Sequence, residues 1–206
     1  MSKQRGQSKK AFQKPILIIC PGDIEQGYFQ SLKMDRYCGL AITIKPRLGQ
    51  ADKFEKVFKG IIQDYADGMP RTCFYVNDMD AIIAQSLLDK YQKAKEKALK
   101  ASLGMLTMIE TMPCIEYWFL LHELFTTKCY SSYGSLKKDL RDTIPDYDKN
   151  EAWAKKIYDI LKDKTEFAMA NSRKSTENKQ NNEGACSYTN MHELIEHLDR
   201  MFGKHE

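Results

Sequence analysis

The chain has 206 residues, 42% hydrophobic and 29% charged, with 32 Lys and Arg against 28 Asp and Glu and a formal net charge of +4. That is enough apolar material for one sizeable core, which excludes a disordered polyelectrolyte, and the length argues against two unrelated full domains. No apolar run approaches the roughly 20 residues that span a bilayer, and the polar N-terminus lacks the apolar stretch of a signal peptide, so a soluble, cytoplasmic protein without a membrane partner is expected.

Residues 1–14 carry Lys3, Arg5, Lys9, Lys10 and Lys14 and no acid, which predicts a flexible basic arm. Without it the remaining chain is one charge negative, so any affinity for nucleic acid must come from local features. The β-branched run Ile16, Leu17, Ile18, Ile19 before Cys20 and Pro21-Gly22-Asp23 predicts a strand buried on both faces and closed by a turn. A helix is expected over 25–32, a strand over 40–45, and then a helix in which Phe54, Val57, Phe58, Ile61, Ile62 and Tyr65 recur at helical spacing, with Asp52 and Glu55 placed as a cap and its partner. After the break at Asp67-Gly68-Met69-Pro70, a third strand over 73–76 runs into Asn77-Asp78-Met79-Asp80, and a helix over 84–101 presents Lys90, Lys93, Lys95, Lys97 and Lys100 outward. A fourth strand over 104–109 leads to Glu110-Thr111-Met112-Pro113 and a further helix.

Strands alternating with helices predict an α/β fold with a parallel sheet of about four strands. Beyond residue 125 the pattern is helical, with segments over 136–141, 152–169 and 191–202 and a polar stretch over 171–186 that reads as a mobile loop. The expected organisation is the arm 1–14, an α/β core 15–125, and a helical extension 126–206 packed on it. Cys20, Cys38, Cys73, Cys114, Cys129 and Cys186 form no CxxC pair and read as reduced thiols.

Ligands of open parallel sheets bind at the carboxyl ends of the strands. Here those ends carry Asp23 and Glu25, Asp78 and Asp80, and Glu110 with Glu116 close behind. An Asp-x-Asp pair after a buried strand suits a hard cation, although the same residues also serve as turn formers and helix caps. Glu116 fits the positive end of its helix. His122 lies in the apolar run Tyr117-Trp118-Phe119-Leu120-Leu121 and reads first as a hydrogen-bonded core residue. Neither a GxGxxG nor a P-loop signature is present. The lysine face of 90–100, together with the arm, could follow a phosphate backbone.

In order, these motifs resemble the RloB-like family, small prokaryotic proteins with a TOPRIM-like core linked to restriction-modification and phage-defence loci. Cys20-Pro21-Gly22-Asp23-Ile24-Glu25-Gln26-Gly27-Tyr28-Phe29 is similar to the family's opening C-E-G-E-K-T-E-x-x-Y-F, one residue shorter. Val76-Asn77-Asp78-Met79-Asp80 matches its strand followed by D-x-D, and Pro113-Cys114-Ile115-Glu116-Tyr117-Trp118-Phe119-Leu120-Leu121-His122 matches P-C-F-E-x-W-x-L-L-H almost throughout. Cys186-Ser187-Tyr188-Thr189-Asn190-Met191-His192 echoes a closing P-S-T-x-V-H.

The resemblance implies a Mg²⁺ site, open also to Mn²⁺, held by Asp78 and Asp80 with Asp23 as a further ligand. It implies phosphodiester chemistry on nucleic acid, RNA before DNA, in antiviral defence. Asp23 and Glu25 match the family's later acids and would position or deprotonate the nucleophile, while Glu116 and His122 carry over as motif residues. Pro21 stands where the family has its first glutamate, and it can neither bind a metal nor move a proton. That substitution leaves a degenerate regulatory or binding subunit as the alternative to a nuclease, with an ATPase partner and self-association open to it. Nucleotidyl transfer shares the same metal logic.

Overall fold

A computed structural model describes residues 15–46, 54–69, 71–182 and 187–203. The basic arm, the Asp52 cap and Cys186 lie outside the described residues. The elements are β1 Ile16–Cys20, α1 Asp23–Arg36, β2 Ile42–Pro46, α2 Phe54–Ala66, β3 Thr72–Asp78, α3 Met79–Ala84, α4 Leu88–Ala101, β4 Leu106–Met112, α5 Ile115–Leu121, α6 Tyr133–Thr143, α7 Glu151–Leu161, α8 Thr165–Asn181, β5 Tyr188–Thr189 and α9 Met191–Phe202, with a 3-10 turn Lys162–Lys164 between α7 and α8.

The sheet has five strands in the order β2-β1-β3-β4-β5. The first four are parallel, as the α/β alternation predicts, and β5 runs antiparallel along β4. β1 is central and buried along its whole length. Its side chains divide by strand alternation between two cores: Ile16, Ile18 and Cys20 face one, Leu17 and Ile19 the other. The first core is built from α1, α5, α6, α7, α8 and α9, the second from α2, α3 and α4.

Every residue of α5 is buried, because the helix runs through the middle of the first layer. Trp118 Nε1 donates to Tyr28 Oη at 3.0 Å, and Asn171 Nδ2 donates to Leu121 O at 2.9 Å. This explains its continuous hydrophobicity, which one-faced packing would not need. Helices α1 and α7 approach so closely at Gly27 that a Cβ there would overlap the backbone carbonyl of Ala154. Gly27→Ala is therefore expected to destabilise the fold by about 2 kcal/mol or more, since a backbone carbonyl cannot yield as a side chain would. Denaturant unfolding checks this.

Four expectations change. The helix expected over 84–101 begins only at Leu88, and an unexpected short helix, Met79–Ala84, precedes it; the two are parted at Ser86, whose φ is 57° with no Gly or Pro to announce the break. The segment expected as a mobile loop over 171–186 is helical as far as Asn181. Its polar face is satisfied internally: Ser172 Oγ donates to Thr189 O at 2.7 Å, and Ser175 Oγ accepts from Thr189 N at 3.2 Å. The sheet gains β5, where Thr111 and Thr189 hydroxyls meet at 2.8 Å and the Asn190 side chain bridges Glu110 N and Met108 O. Cys129 is disulfide-bonded, while Cys20, Cys38, Cys73 and Cys114 are free. The cysteines thus no longer argue for a reducing compartment. No helix among the described residues is long and apolar enough to cross a membrane.

Candidate active site

The strand order reverses direction between β1 and β3, and the crevice at their carboxyl ends is where a parallel sheet places a ligand. Three elements deliver carboxylates there. Glu25 sits in the first turn of α1, buried, with its carboxylate folded back to accept from the N–H groups of Gly22 and of Glu25 itself. This is the acidic half of a capping box. Asp78 ends β3, and its Oδ1 accepts from Ile115 N at 3.0 Å, which satisfies the first orphan donor of α5. Glu116, in the first turn of α5, is fully buried.

Lys149, from the segment that enters α7, places its ammonium 3.0 Å from Glu116 Oε1 and 3.2 Å from Oε2. Tyr147 Oη donates to the same Oε1 at 3.1 Å. Asp80, half-buried in the first turn of α3, joins the rim, where backbone N–H groups of Ala81 and Tyr133 reach its carboxylate. Among the described residues, one ammonium therefore serves these four carboxylates.

The electrostatics follow from that imbalance. Burial holds Asp78 well above the usual carboxylate range, and repulsion from Glu25 adds to it, with Lys149 opposing. Burial likewise raises Glu25; Lys149 works against the rise and Glu116 adds to it. Asp80 is raised by burial, against the N–H of Ala81 and the charge of Lys149. Burial alone would lower Lys149, but Glu116, Cys114, Asp78 and Glu25 outweigh it and hold its pKa above the ordinary lysine value. The Cys20 and Cys114 thiols, both beside this cluster, are raised first by burial and then by the surrounding carboxylates. They are not thiolate nucleophiles at neutral pH.

The sequence-predicted residues separate accordingly. Glu25, Asp78, Asp80 and Glu116 come together. Asp23 is exposed at the mouth, lining a cleft of about 190 Å³ that leads in past Glu25 and Lys149 and adjoins a second of about 540 Å³ between α1 and α7. Of the two acids that could answer for Pro21, Glu25 is the buried one, and its charge bears on Asp78.

Glu110 does not reach the crevice: it lies within β4 and is held by Lys95 Nζ at 2.6 Å and Tyr91 Oη at 2.9 Å. His122 caps the far end of α5, about 9 Å along the axis from Glu116 at 1.5 Å per residue. Its Nδ1 pairs with Trp118 O at 2.9 Å, and burial pushes its pKa down to about 4, so it is a neutral core residue. Lys149 and Tyr147 went unpredicted because only the folded loop carries them to α5, and no local pattern marks them.

A family model described as RloB-like protein matches residues 16–198. The chain belongs to the RloB-like family. No curated protein and no solved structure matches it. In this RloB-like protein the family motifs lie where the crevice is built: the opening motif supplies Glu25, the D-x-D motif Asp78 and Asp80, and the third motif Glu116.

The Mg²⁺ that the family resemblance implies can be tested against these residues. Among the described residues no three His, Cys, Asp or Glu side chains converge closely enough to form a complete protein cage for a metal. Magnesium rarely needs one, since it commonly takes one or two carboxylates and completes its shell with water and substrate phosphate. An all-carboxylate donor set with uncompensated negative charge has the right chemistry. Asp78 and Asp80 would hold the ion, with Glu25 adjoining.

Proposed function

We propose that the protein is a Mg²⁺-dependent phosphodiester-cleaving effector acting on nucleic acid, RNA in preference to DNA, in prokaryotic antiphage defence. The observation that supports this reading is the cluster of Glu25, Asp78, Asp80 and Glu116 at the topological switch point, in a chain whose family motifs supply all four. A bound Mg²⁺ would neutralise the scissile phosphate and polarise it toward attack.

The chain's own groups do the rest. Glu25, raised by its burial, is placed to take a proton from the attacking water or hydroxyl. Lys149 holds Glu116 in one orientation and keeps the floor of the crevice from collapsing under like-charge repulsion. Asp78 ties the end of β3 to the start of α5, so that the reacting groups rest on two regular elements.

Incubation of the purified protein with tRNA, single-stranded RNA and plasmid DNA in Mg²⁺ or Mn²⁺ tests the reading. Cleavage is expected with wild type and not with the Asp78→Ala, Asp80→Ala double variant; cleavage that survives in the variant overturns it. The second reading is a degenerate regulatory subunit paired with an ATPase, favoured by Pro21 and by the ammonium already seated on Glu116. It predicts neither metal binding by calorimetry nor cleavage, with a partner that co-purifies. Nucleotidyl transfer, the third, would appear as nucleotide incorporation in place of chain scission.

A further inference from the structure

The face of the sheet opposite the crevice layer carries a groove that the carboxylate chemistry does not use. Helices α2 and α4 pack side by side there, with Phe54 and Tyr91 rings 5.3 Å apart beneath them. Between the helices runs a groove of about 350 Å³. Its floor is apolar, made by Phe58, Ile62 and Ala94, and its walls carry Lys59, Lys93 and Lys97 together with the Glu55–Lys90 pair.

The lysines of α4 are not equivalent. Lys90 pairs with Glu55 at 2.9 Å and Lys95 with Glu110 at 2.6 Å, so two charges are spent on the fold. Lys59, Lys93 and Lys97 are exposed, and none has a carboxylate of the described residues within ion-pairing distance. Lys93 and Lys97 lie four residues apart on α4, about 6 Å along its axis at 1.5 Å per residue, which is comparable to the step between successive phosphates of an extended strand. Helix α2 connects parallel strands β2 and β3, and α4, after the short α3, returns the chain from the end of β3 to the start of β4, so both run back from the edge that holds the crevice.

We propose that this groove is a binding track for single-stranded nucleic acid, in which Lys59, Lys93 and Lys97 take phosphates and the Phe58, Ile62 and Ala94 floor takes the apolar faces of sugars and bases. Three unneutralised cations over an apolar floor match a ligand that is anionic along one side and apolar along the other, which an unpaired strand is and a duplex is not.

This track rests on the reading of the protein as one that acts on nucleic acid, and the experiment separates the two. Full-length protein is titrated into fluorescein-labelled oligouridine and oligothymidine of about 12 nucleotides and into a duplex of the same length, at several salt concentrations, with anisotropy as readout. Cleavage of long RNA is followed in parallel. The Lys59→Gln, Lys93→Gln, Lys97→Gln variant is expected to bind single strands at least tenfold more weakly. Its logarithmic salt slope should be shallower by about two, from roughly 0.7 per lost phosphate contact.

Ile62→Asp should weaken single-strand binding without weakening the duplex. A control variant that removes Lys33, Lys138 and Lys174 from other helices should bind as wild type. Single-strand affinity unchanged in the triple variant overturns the track, even where cleavage is intact. Equal losses on single strand, duplex, polyglutamate and phosphatidylserine vesicles overturn it too, by revealing a generic cationic patch. Lysine-dependent single-strand binding without any cleavage in Mg²⁺ or Mn²⁺ leaves the track standing and removes the nuclease reading alone.

Discussion

Replacing Lys149 with methionine is expected to lower stability by about 2 kcal/mol at neutral pH. Removing one partner of a fully buried ion pair typically costs about 3 to 5 kcal/mol, because the other charge is left without solvent or partner. Glu116 is fully buried, but the Lys149 side chain keeps 38% of its exposure, so water screens part of the interaction and the lower figure applies. For a chain of this length that corresponds to a fall in Tm of roughly 4 to 8 °C. Adding Glu116→Gln to the Lys149→Met background should recover most of the loss, since it removes the stranded charge while Tyr147 retains an acceptor. A Lys149→Met variant as stable as wild type would mean that the cluster is neutralised in some other way.

Asp78→Asn is expected to act in opposite directions on function and stability. On the reading proposed above, cleavage should fall about 10³-fold, because the substituted amide can neither carry negative charge nor hold a cation as a carboxylate does. Stability should rise by about 1 kcal/mol at neutral pH, since a repelled carboxylate is replaced by a neutral group whose oxygen can still accept from Ile115 N.

The pH dependence carries the same sign. A carboxyl whose pKa is higher in the folded chain than in the unfolded one holds more protons when folded, so its support for the fold is complete at low pH and is lost as the pH rises through the folded value. Asp78, Glu25 and Asp80 are all raised. The Asp78 contribution to Tm should therefore decline from the ordinary carboxylate range near pH 4 toward neutrality, so that wild type loses Tm relative to Asp78→Asn as the pH rises. Thermal scans of both proteins across that range read the difference directly. Parallel curves would mean that Asp78 does not titrate within the cluster.

What could be read in the linear chain depended on whether each element owes its conformation to its own residues. β1 announces itself because a strand buried on both faces needs an unbroken apolar run, and α2 because its stripe repeats at helical spacing. The three site elements were placed by the rule that acids after parallel strands share one edge, and the family motifs chose among them. The rule failed for Glu110, which lies within β4 two residues before its end, and whose partners on α4 draw it away from the crevice.

The second half of α8 was misread because it buries Asn171, Ser172 and Ser175, polar groups whose partners on α5, β5 and α9 arrive from elsewhere in the sequence. β5 itself has two residues, too few for any period to show. Lys149 falls in the same class: the cation that matters most to the carboxylate cluster is a loop residue 33 positions from its partner. Cys129 reads as a lone thiol in a sequence without CxxC spacing, and only the folded chain pairs it.

The short strand β5 also bears on the order of assembly. Thr111 pairs with Thr189 across 78 residues, and the hydrogen-bonding edge of β4 stays open until that pairing forms. Contacts of such separation form late, because the intervening chain must be ordered first. A chain still emerging from the ribosome can complete the four parallel strands, yet it cannot cover the edge of β4 until residues near 190 are free to dock. An unfinished chain thus holds the crevice residues but presents a bare strand edge, prone to pairing with its neighbours.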